Sequence, residues 1–404
     1  MTAVRRHPVR RRITIIALAA LGSLLVVAGV VFAVGGAFAP SRYLDPWSSD
    51  YHKKFDDPRV QLVSAGLLAS SGHNMQPWLV TLDSDPDVFY LYADDSRLSI
   101  AVDPLSRQVM VSQGTFLQNV TVAGDQLGHP VTIELFPDGD FDESNLVASM
   151  ASTPVARVTL SSAASVPQPT WESVFRSDTN RAPYSDAPLT SHQRSAFAGL
   201  DSWPDNDSEA SLSVLTAQQD LDALGSLSIE GSTIESESAA ATAESDVVFR
   251  SNEYLKNESR WGFSVEGQGT SGPMKYLIQG LITLIPAMNS DDVGAQRQID
   301  LTTAAVAATP AYGIISTPAN TRQQQVEAGM LYSRFELTAR SVGLVMQPLS
   351  QVIQEYPEMA ELYSSVHQQY ASDGGTIQMI VRVGMPTAEY PQTMRRDVSD
   401  LLVD

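Results

Sequence analysis

The 22 residues from Ile13 to Val34 carry no charge, and they follow three consecutive arginines, Arg10, Arg11 and Arg12. A helix crossing a bilayer core needs about 20 apolar residues, because no water is present there to satisfy the backbone. The run therefore predicts a single transmembrane anchor over 13–36, with residues 1–12 as a cytoplasmic basic tail. Everything after Gly36 then lies on the outer face of the membrane. A secreted protein released by signal cleavage is the competing reading. Ala37 and Ala39 make an A-x-A pattern, but Pro40 follows directly, and the apolar run outlasts an ordinary signal core. The arginines also resemble a twin-arginine leader, so the export route stays open.

Past the anchor the chain is strongly acidic. The formal charge is −20, and residues 1–12 hold five arginines and no acid, which leaves −25 (−20 − 5) for the rest. Such a body repels phosphate backbones, and no basic patch with interleaved aromatics offsets it, so nucleic acid is excluded as a partner. There is no cysteine, which removes disulfides, thiolate nucleophiles and zinc–thiolate sites together. The six histidines are scattered without metal-ligand spacing, so no metal is expected.

Residues 37–56 read as a tether, with Pro40, Pro46, serines and mixed charges. Asp57-Pro58 predicts a helix start, aspartate as cap and proline in the first turn. WLVTL (78–82) and VFYLY (88–92) read as strands joined at Asp85-Pro86-Asp87, a hairpin by composition. Arg107 to Gly124 reads as a helix, and PVTIELF and VARVTL as two more strands. In the acidic, Ser- and Ala-rich stretch 203–245, SLSVL reads as a strand beside irregularly periodic helices. YGIIS is a buried strand. The stretch from Ala328 is a helix ending at Gly343, its apolar stripe belonging to the core, and IQMIVRVGMP is a strand running into a turn. Helices and short strands alternate without βαβ spacing, which points to α+β. Gly267, Gly269 and Gly272 spell G-x-G-x-x-G, with Asp291 and Asp292 about 20 residues on. A dinucleotide fingerprint needs a preceding parallel strand, which the residues around Arg260 and Trp261 do not provide. A mobile Gly-rich loop is the better expectation.

The stretch SSGHNMQPW, Ser70 to Trp78, places small residues and the amides of Asn74 and Gln76 just before a strand. It resembles the loop that packs beside the isoalloxazine ring in the FMN-dependent nitroreductase superfamily. Leu91 to Asn119, with Asp95, Arg97, Asp103-Pro104, Arg107 and Gly114, is similar to the continuation in one branch, the Acg-like FMN-binding proteins of actinobacteria. VFRSDTNRAPY (174–184) resembles that branch's second block. A phosphate dianion calls for guanidinium and hydroxyl donors, and Thr179 and Arg181 fit this block, with Arg176 one position from the family's usual arginine. Arg395-Arg396 matches the basic pair near the end of nitroreductases. Residue by residue the bland readings stay open: a solvated arginine, a surface Asp95–Arg97 pair, and for His73 an ordinary loop histidine without catalytic role.

The resemblance spans about 57–400. It implies an α+β nitroreductase-like fold of two related halves in one chain, 57–165 and 166–404, imitating the family's dimer, so that a monomer suffices. It implies one FMN between the halves. Ser70, Ser71, Gly72, Asn74 and Gln76 would lie along the ring and ribityl chain, Gln76 either bonding the flavin or fixing the loop, and Arg176, Thr179, Arg181, Arg395 and Arg396 would lie at the phosphate. The implied activity is oxidoreductase, nitroreductase-like, passing hydride or electrons through FMN to nitro-aromatic or quinone-like acceptors without a dedicated general acid or base. NAD(P)H is scarce outside the membrane, so the donor is unknown. The alternative is a protein that binds or sequesters FMN without turnover.

Overall fold

The computed structural model describes residues 8–176, 179–203, 208–289 and 291–403. Helix α1 (Pro8–Val34) is the apolar run, and it stands clear of the body over most of its length. The segment 37–56, expected as a tether, is packed instead. It forms two 3-10 turns (Arg42–Trp47 and Tyr51–Lys54) that bury Tyr43, Trp47 and Tyr51. Aromatic anchors spaced along an otherwise polar stretch supply its burial.

Helix α2 (Pro58–Gly66) starts where expected, with the Asp57 carboxylate accepting from Arg59 N–H. Strands β1 (Trp78–Leu82) and β2 (Val88–Ala93) form the expected antiparallel hairpin. Next come α3 (Arg107–Leu127), β3 (Val131–Leu135), the short α4 (Leu146–Ser152), β4 (Ala156–Leu160), and short helices α5 (Trp171–Val174) and α6 (Ser191–Ala196). The second part opens with β5 (Ser211–Leu215). It continues through helices α7 (Gln218–Glu237), α8 (Ala239–Val248), α9 (Glu253–Ser259), α10 (Gly272–Leu284) and α11 (Asp291–Ala307). Strand β6 (Ala311–Thr317), α12 (Arg322–Ser341), β7 (Val345–Pro348), α13 (Ala360–Tyr370), β8 (Thr376–Gly384) and β9 (Leu402–Val403) complete it.

Two sheets result, ordered β3-β4-β2-β1-β9 and β5-β6-β8-β7. Leaving β9 aside, the two share one plan: β1-β2-α3-β3-β4 corresponds to β5-β6-α12-β7-β8, with every equivalent pair antiparallel. The chain is therefore a doubled α+β fold. The largest departure from symmetry is at one connection, where the hairpin turn 83–87 of the first half is replaced by the helical insertion 216–310 in the second.

The equivalent helices α3 and α12 cross at glycines in equivalent positions. A Cβ on Gly114 would sit 1.9 Å from Val326 O, and one on Gly329 would sit 1.9 Å from Val111 O. Both pairs obey one offset (329 − 114 = 326 − 111 = 215). Arg107 and Arg322 obey it too and open their helices. Arg107 Nε reaches Glu355 in the β7–β8 connection at 3.4 Å, and Arg322 Nε reaches Glu143 in the β3–β4 connection at 2.7 Å. Each half thus clasps the other by the same pair of contacts, as isologous dimers do across a two-fold axis.

Burial in β1, β2 and β4 largely alternates, as for a sheet with one face in the core, and α2 and α3 cover that face. Strands β6 and β8 are buried nearly throughout, because α12 covers one face and α7 and α13 the other. Helix α12 begins six residues before the expected Ala328, capped by Thr321 through Gln324 N–H. It ends at Ser341, and Gly343, at φ +78°, lets the chain turn into β7, a strand not anticipated.

Candidate functional site

The loop 70–78 sits at the junction of the halves, and its backbone is unusual. His73, Asn74 and Gln76 all have positive φ (48°, 53° and 52°), a region costing L-residues on the order of 1 kcal/mol each. Surrounding bonds impose it. Gln76 N–H donates to Ser71 Oγ (3.0 Å), Ser70 Oγ to Glu336 of α12 (2.9 Å), Thr115 Oγ1 to Ser70 O (2.6 Å) and Gly72 N–H to Ser112 Oγ (3.3 Å).

Both amides expected at the ring are turned inward. Asn74 Nδ2 donates to Gly262 O (2.9 Å) and Met394 O (3.0 Å), while its Oδ1 accepts from Arg395 (2.9 Å). Gln76, fully buried, donates to Arg260 O (2.9 Å) and accepts from Arg396 N–H (2.9 Å). A buried amide must satisfy both ends, and these do so on backbone groups and, at Asn74 Oδ1, on the Arg395 guanidinium. Of the two roles open to Gln76, fixing the loop is the one seen.

The Arg395-Arg396 pair likewise departs from the expected phosphate grip. Both guanidiniums are buried against protein oxygens. Arg395 donates to Leu68 O (3.0 Å) and Ala69 O (3.1 Å) and lies over the Trp47 ring at 4.6 Å. Arg396 donates to Gln76 O and Trp78 O (both 3.2 Å) and pairs with Asp94 at 3.4 Å. Five donors in a planar fork suit a cluster of convergent carbonyls, and the loop supplies one. Arg176 is exposed and donates to Arg340 O in the last turn of α12, so it caps a helix end and does not join the loop. Thr179 is half-buried just before Asn180, whose N–H bonds Met346 O. Arg181 is brought to the loop: it donates to Gly267 O at 3.0 Å and its charge is felt by His73. Burial first, and Arg181 second, lower the His73 pKa to about 4, so the imidazole is neutral at pH 7.

The segment 260–269, expected to be a mobile Gly-rich loop, is held across the site. Gly262 N–H donates to Asn74 O (3.0 Å), Phe263 meets His73 edge-on at 6.0 Å, and residues 265–268 form a 3-10 turn. Gly272 does open a helix, but α9 precedes the segment where a dinucleotide site needs a parallel strand. Beside the loop remains a small cavity of about 20 Å³, lined by Gly72, His73, Arg97, Asp103, Gln108 and Ser112 among others. Burial pushes Asp103 up to about 6 despite the nearby Arg107 and the N–H groups of Gln108 and Val109.

Arg97, in the lining of this cavity, belongs to a cationic cluster. The guanidiniums of Arg97 and Arg250 lie over the Trp261 ring at 4.9 and 4.2 Å. Arg97 and Arg396 share the Asp94 carboxylate, so Arg97 pairs with Asp94 and not with Asp95. Burial and then the charge of Arg97 lower the Arg250 pKa, and the same causes bring Arg396 down to about 10. Three guanidiniums crowded in an acidic chain create a site that favours an anion. Arg250 and Trp261 escaped the sequence reading because nothing local marks them: they meet Arg97 only through the insertion's path. Among the described residues no group of acidic and histidine side chains could hold a metal.

No family model matches the chain, and no curated protein matches it. Solved structures give distant likenesses. The FMN-dependent nitroreductase NfnB from Mycobacterium smegmatis, in complex with NADPH, is 13% identical over 55% of this chain and 92% of that one, with a TM-score of 0.32. The FMN and NADPH-dependent nitroreductase NfnB from Sphigopyxis sp. strain HMH is 14% identical over 58% and 97%, with a TM-score of 0.34. A BluB-like flavoprotein from Clostridium difficile 630 is 9% identical over 58% and 97%, with a TM-score of 0.32. At such identities and TM-scores these likenesses assign neither family nor activity.

Proposed function

We propose that the chain is a membrane-anchored, FMN-binding oxidoreductase of the nitroreductase type, with its body on the extracytoplasmic side. The observation that carries this reading is the 70–78 loop, held in left-handed backbone between two equivalent halves and bordered by Arg97, Arg181, Arg250 and Arg396. Strain of that kind is retained where the surroundings over-determine it, and functional sites are where it collects. The positive field of that cluster suits a phosphate dianion, and the Gly72–His73 turn offers a flat surface for a heterocycle. Bound there, FMN would supply the hydride or electron chemistry, and the chain would orient it and exclude water. The neutral His73 adds no charge to the ring's surroundings. An uncleaved anchor is supported by the tight seat of Gly35 in the body: a Cβ there would lie 2.0 Å from Tyr276 O.

The reading as an FMN store has its own support. The 260–269 segment bonds directly to Asn74 and Gln76, and the cavity lined by Gly72 and His73 holds only about 20 Å³, so a ring seated on the loop requires that strap to move. A strap that opens for the cofactor and closes against substrates would hold FMN without turnover.

The test is spectroscopic. The full chain in detergent micelles, supplied with FMN, should retain a flavin spectrum after desalting, and dithionite should bleach it. Re-oxidation by a nitro-aromatic or a quinone supports the oxidoreductase; re-oxidation by neither supports storage. Arg97→Ala and Arg181→Ala should each weaken FMN binding about tenfold, the loss of one charge-assisted contact. A chain that never retains FMN refutes both readings.

A further inference from the structure

Helix α10 is more apolar on its outside than an insertion helix in water should be. Met274 at its start, and Leu284, Ile285 and Met288 at its end, are each about half exposed. Single exposed apolar side chains are ordinary, but these gather on one helix and the turn after it.

That helix packs on the anchor itself. A Cβ on Gly35 would meet Tyr276 O at 2.0 Å, and a Cβ on Gly280 would meet Val31 O at 2.0 Å. Moving from Tyr276 to Gly280 therefore means moving back along α1 from Gly35 to Val31, about 6 Å toward the bilayer at 1.5 Å per residue. Leu284 lies a further four residues on, about another 6 Å down, toward the part of α1 where Val26 and Val27 are exposed. Small residues at the crossing let the two backbones touch, as in helix pairs within membranes. Two tyrosines mark the level of the water boundary: Tyr254 Oη donates to Ala33 O at 3.3 Å, and Tyr276 sits against Gly35.

We infer that α10 and the turn Pro286–Asn289 dock into the outer leaflet beside the anchor, so that the body is held on the membrane by two elements. Continuity with the apolar surface of α1 names the occupant as lipid. The inference rests on the reading of α1 as a membrane anchor. It also ties the strap to the membrane, because residues 260–269 lead straight into α10 and are fastened to it: Lys275 pairs with Glu266 at 2.9 Å.

Because the chain has no cysteine, single-cysteine variants of the full protein report position cleanly. Leu284→Cys and Met288→Cys, labelled with an environment-sensitive fluorophore and reconstituted into phosphatidylcholine–phosphatidylglycerol vesicles, should show blue-shifted emission. They should be quenched by doxyl groups on the acyl chains and protected several-fold from aqueous iodide. Val247→Cys, on α8 and 72% exposed, should behave in the opposite way. Leu24→Cys reports the anchor. If Leu24 is lipid-quenched while positions 284 and 288 are quenched by iodide, the inference is overturned and the anchor stands. If Leu24 itself is in water, the anchor reading has failed and the docking falls with it. Protection of 284 and 288 from both quenchers, with a dimer in detergent, would show a second copy on this face and also overturn it.

Discussion

The crossing of α3 and α12 makes a sharp demand on two glycines. Gly114→Ala would place a methyl carbon 1.9 Å from Val326 O and 2.7 Å from Met330 N, both backbone atoms of a buried helix. Ordinary contact begins near 3.4 Å, so the helices must separate locally by 1.5 Å (3.4 − 1.9). No side chain can rotate away to absorb this. Overpacking of this kind costs about 3 kcal/mol, at the upper end because the obstacle is backbone. Alanine's better helix propensity returns about 1 kcal/mol, leaving a net loss of about 2 kcal/mol. Gly329→Ala should cost the same, since it meets Val111 O at the same 1.9 Å. The double variant should cost clearly less than the sum, because the first methyl has already opened the crossing for the second. Gly294→Ala in α11 is the control: nothing lies within 4 Å of its Cβ, so it should raise stability by up to about 1 kcal/mol. Urea unfolding of the full chain in micelles, followed by far-UV circular dichroism, reads all four. A Gly114→Ala midpoint at or above wild type would refute the reasoning, as would losses at 114 and 329 that simply add.

The two clasping ion pairs should differ in weight despite their equivalence. Glu355→Ala strands the buried Arg107 and should cost about 3 kcal/mol in urea unfolding, whereas Glu143, 60% exposed, should cost under about 1 kcal/mol as Glu143→Ala. Arg395→Ala leaves the carbonyls of Leu68 and Ala69 without their donor, so thermal unfolding should come earlier and the proposed FMN retention should fall. Arg395→Lys should not rescue either, since one ammonium cannot serve that spread of acceptors. For His73 the folded pKa of about 4 lies below the unfolded value of 6.5, so the unfolded chain takes up the proton first. Stability should therefore fall as pH drops from 6.5 to 4, by about 2 kcal/mol after allowing for the ring's partial exposure, and be flat above 6.5. The difference between wild type and His73→Gln across that window isolates the effect; identical pH profiles would sink it.

Where local chemistry decides an element, the sequence carried it. Asp57-Pro58 set a helix start, the Asp-Pro-Asp turn set a hairpin, and the alternation in WLVTL and VFYLY set two strands. Helix α12 began early because its first turn, Arg322 to Gln325, is wholly polar and hides the period, although Thr321 and Gln324 three residues apart are a legible cap. The segment 37–56 misled because composition cannot see that Tyr43, Trp47 and Tyr51 have somewhere to go. The loop 70–78 does lie before β1 where the halves meet, but the contacts expected of its side chains were not all kept. Asn74, Gln76, Arg395 and Arg396 have the donors a flavin site needs, and only three-dimensional proximity reveals that they use them on one another and on nearby carbonyls. The cationic cluster was the converse case: Arg97, Arg250 and Arg396 are up to 299 residues apart (396 − 97).

Strand β9 has a consequence for how such a protein is made. Leu402 pairs with Val80, so the edge of the first sheet is supplied from 322 residues downstream (402 − 80). Arg395 and Arg396, which hold the 70–78 loop in its left-handed turns, arrive just before it. On the ribosome, the first half therefore emerges with an open sheet edge and an unformed loop, and it waits for the whole second half to be synthesised. Such long-range closure makes folding slow and leaves the edge exposed to wrong partners meanwhile. For a cofactor held at that loop, as proposed for FMN, it also fixes an order of events: the seat exists only after residues 395–403 have been made. On the proposal made above, FMN would be loaded late, onto a body whose two halves have both been made.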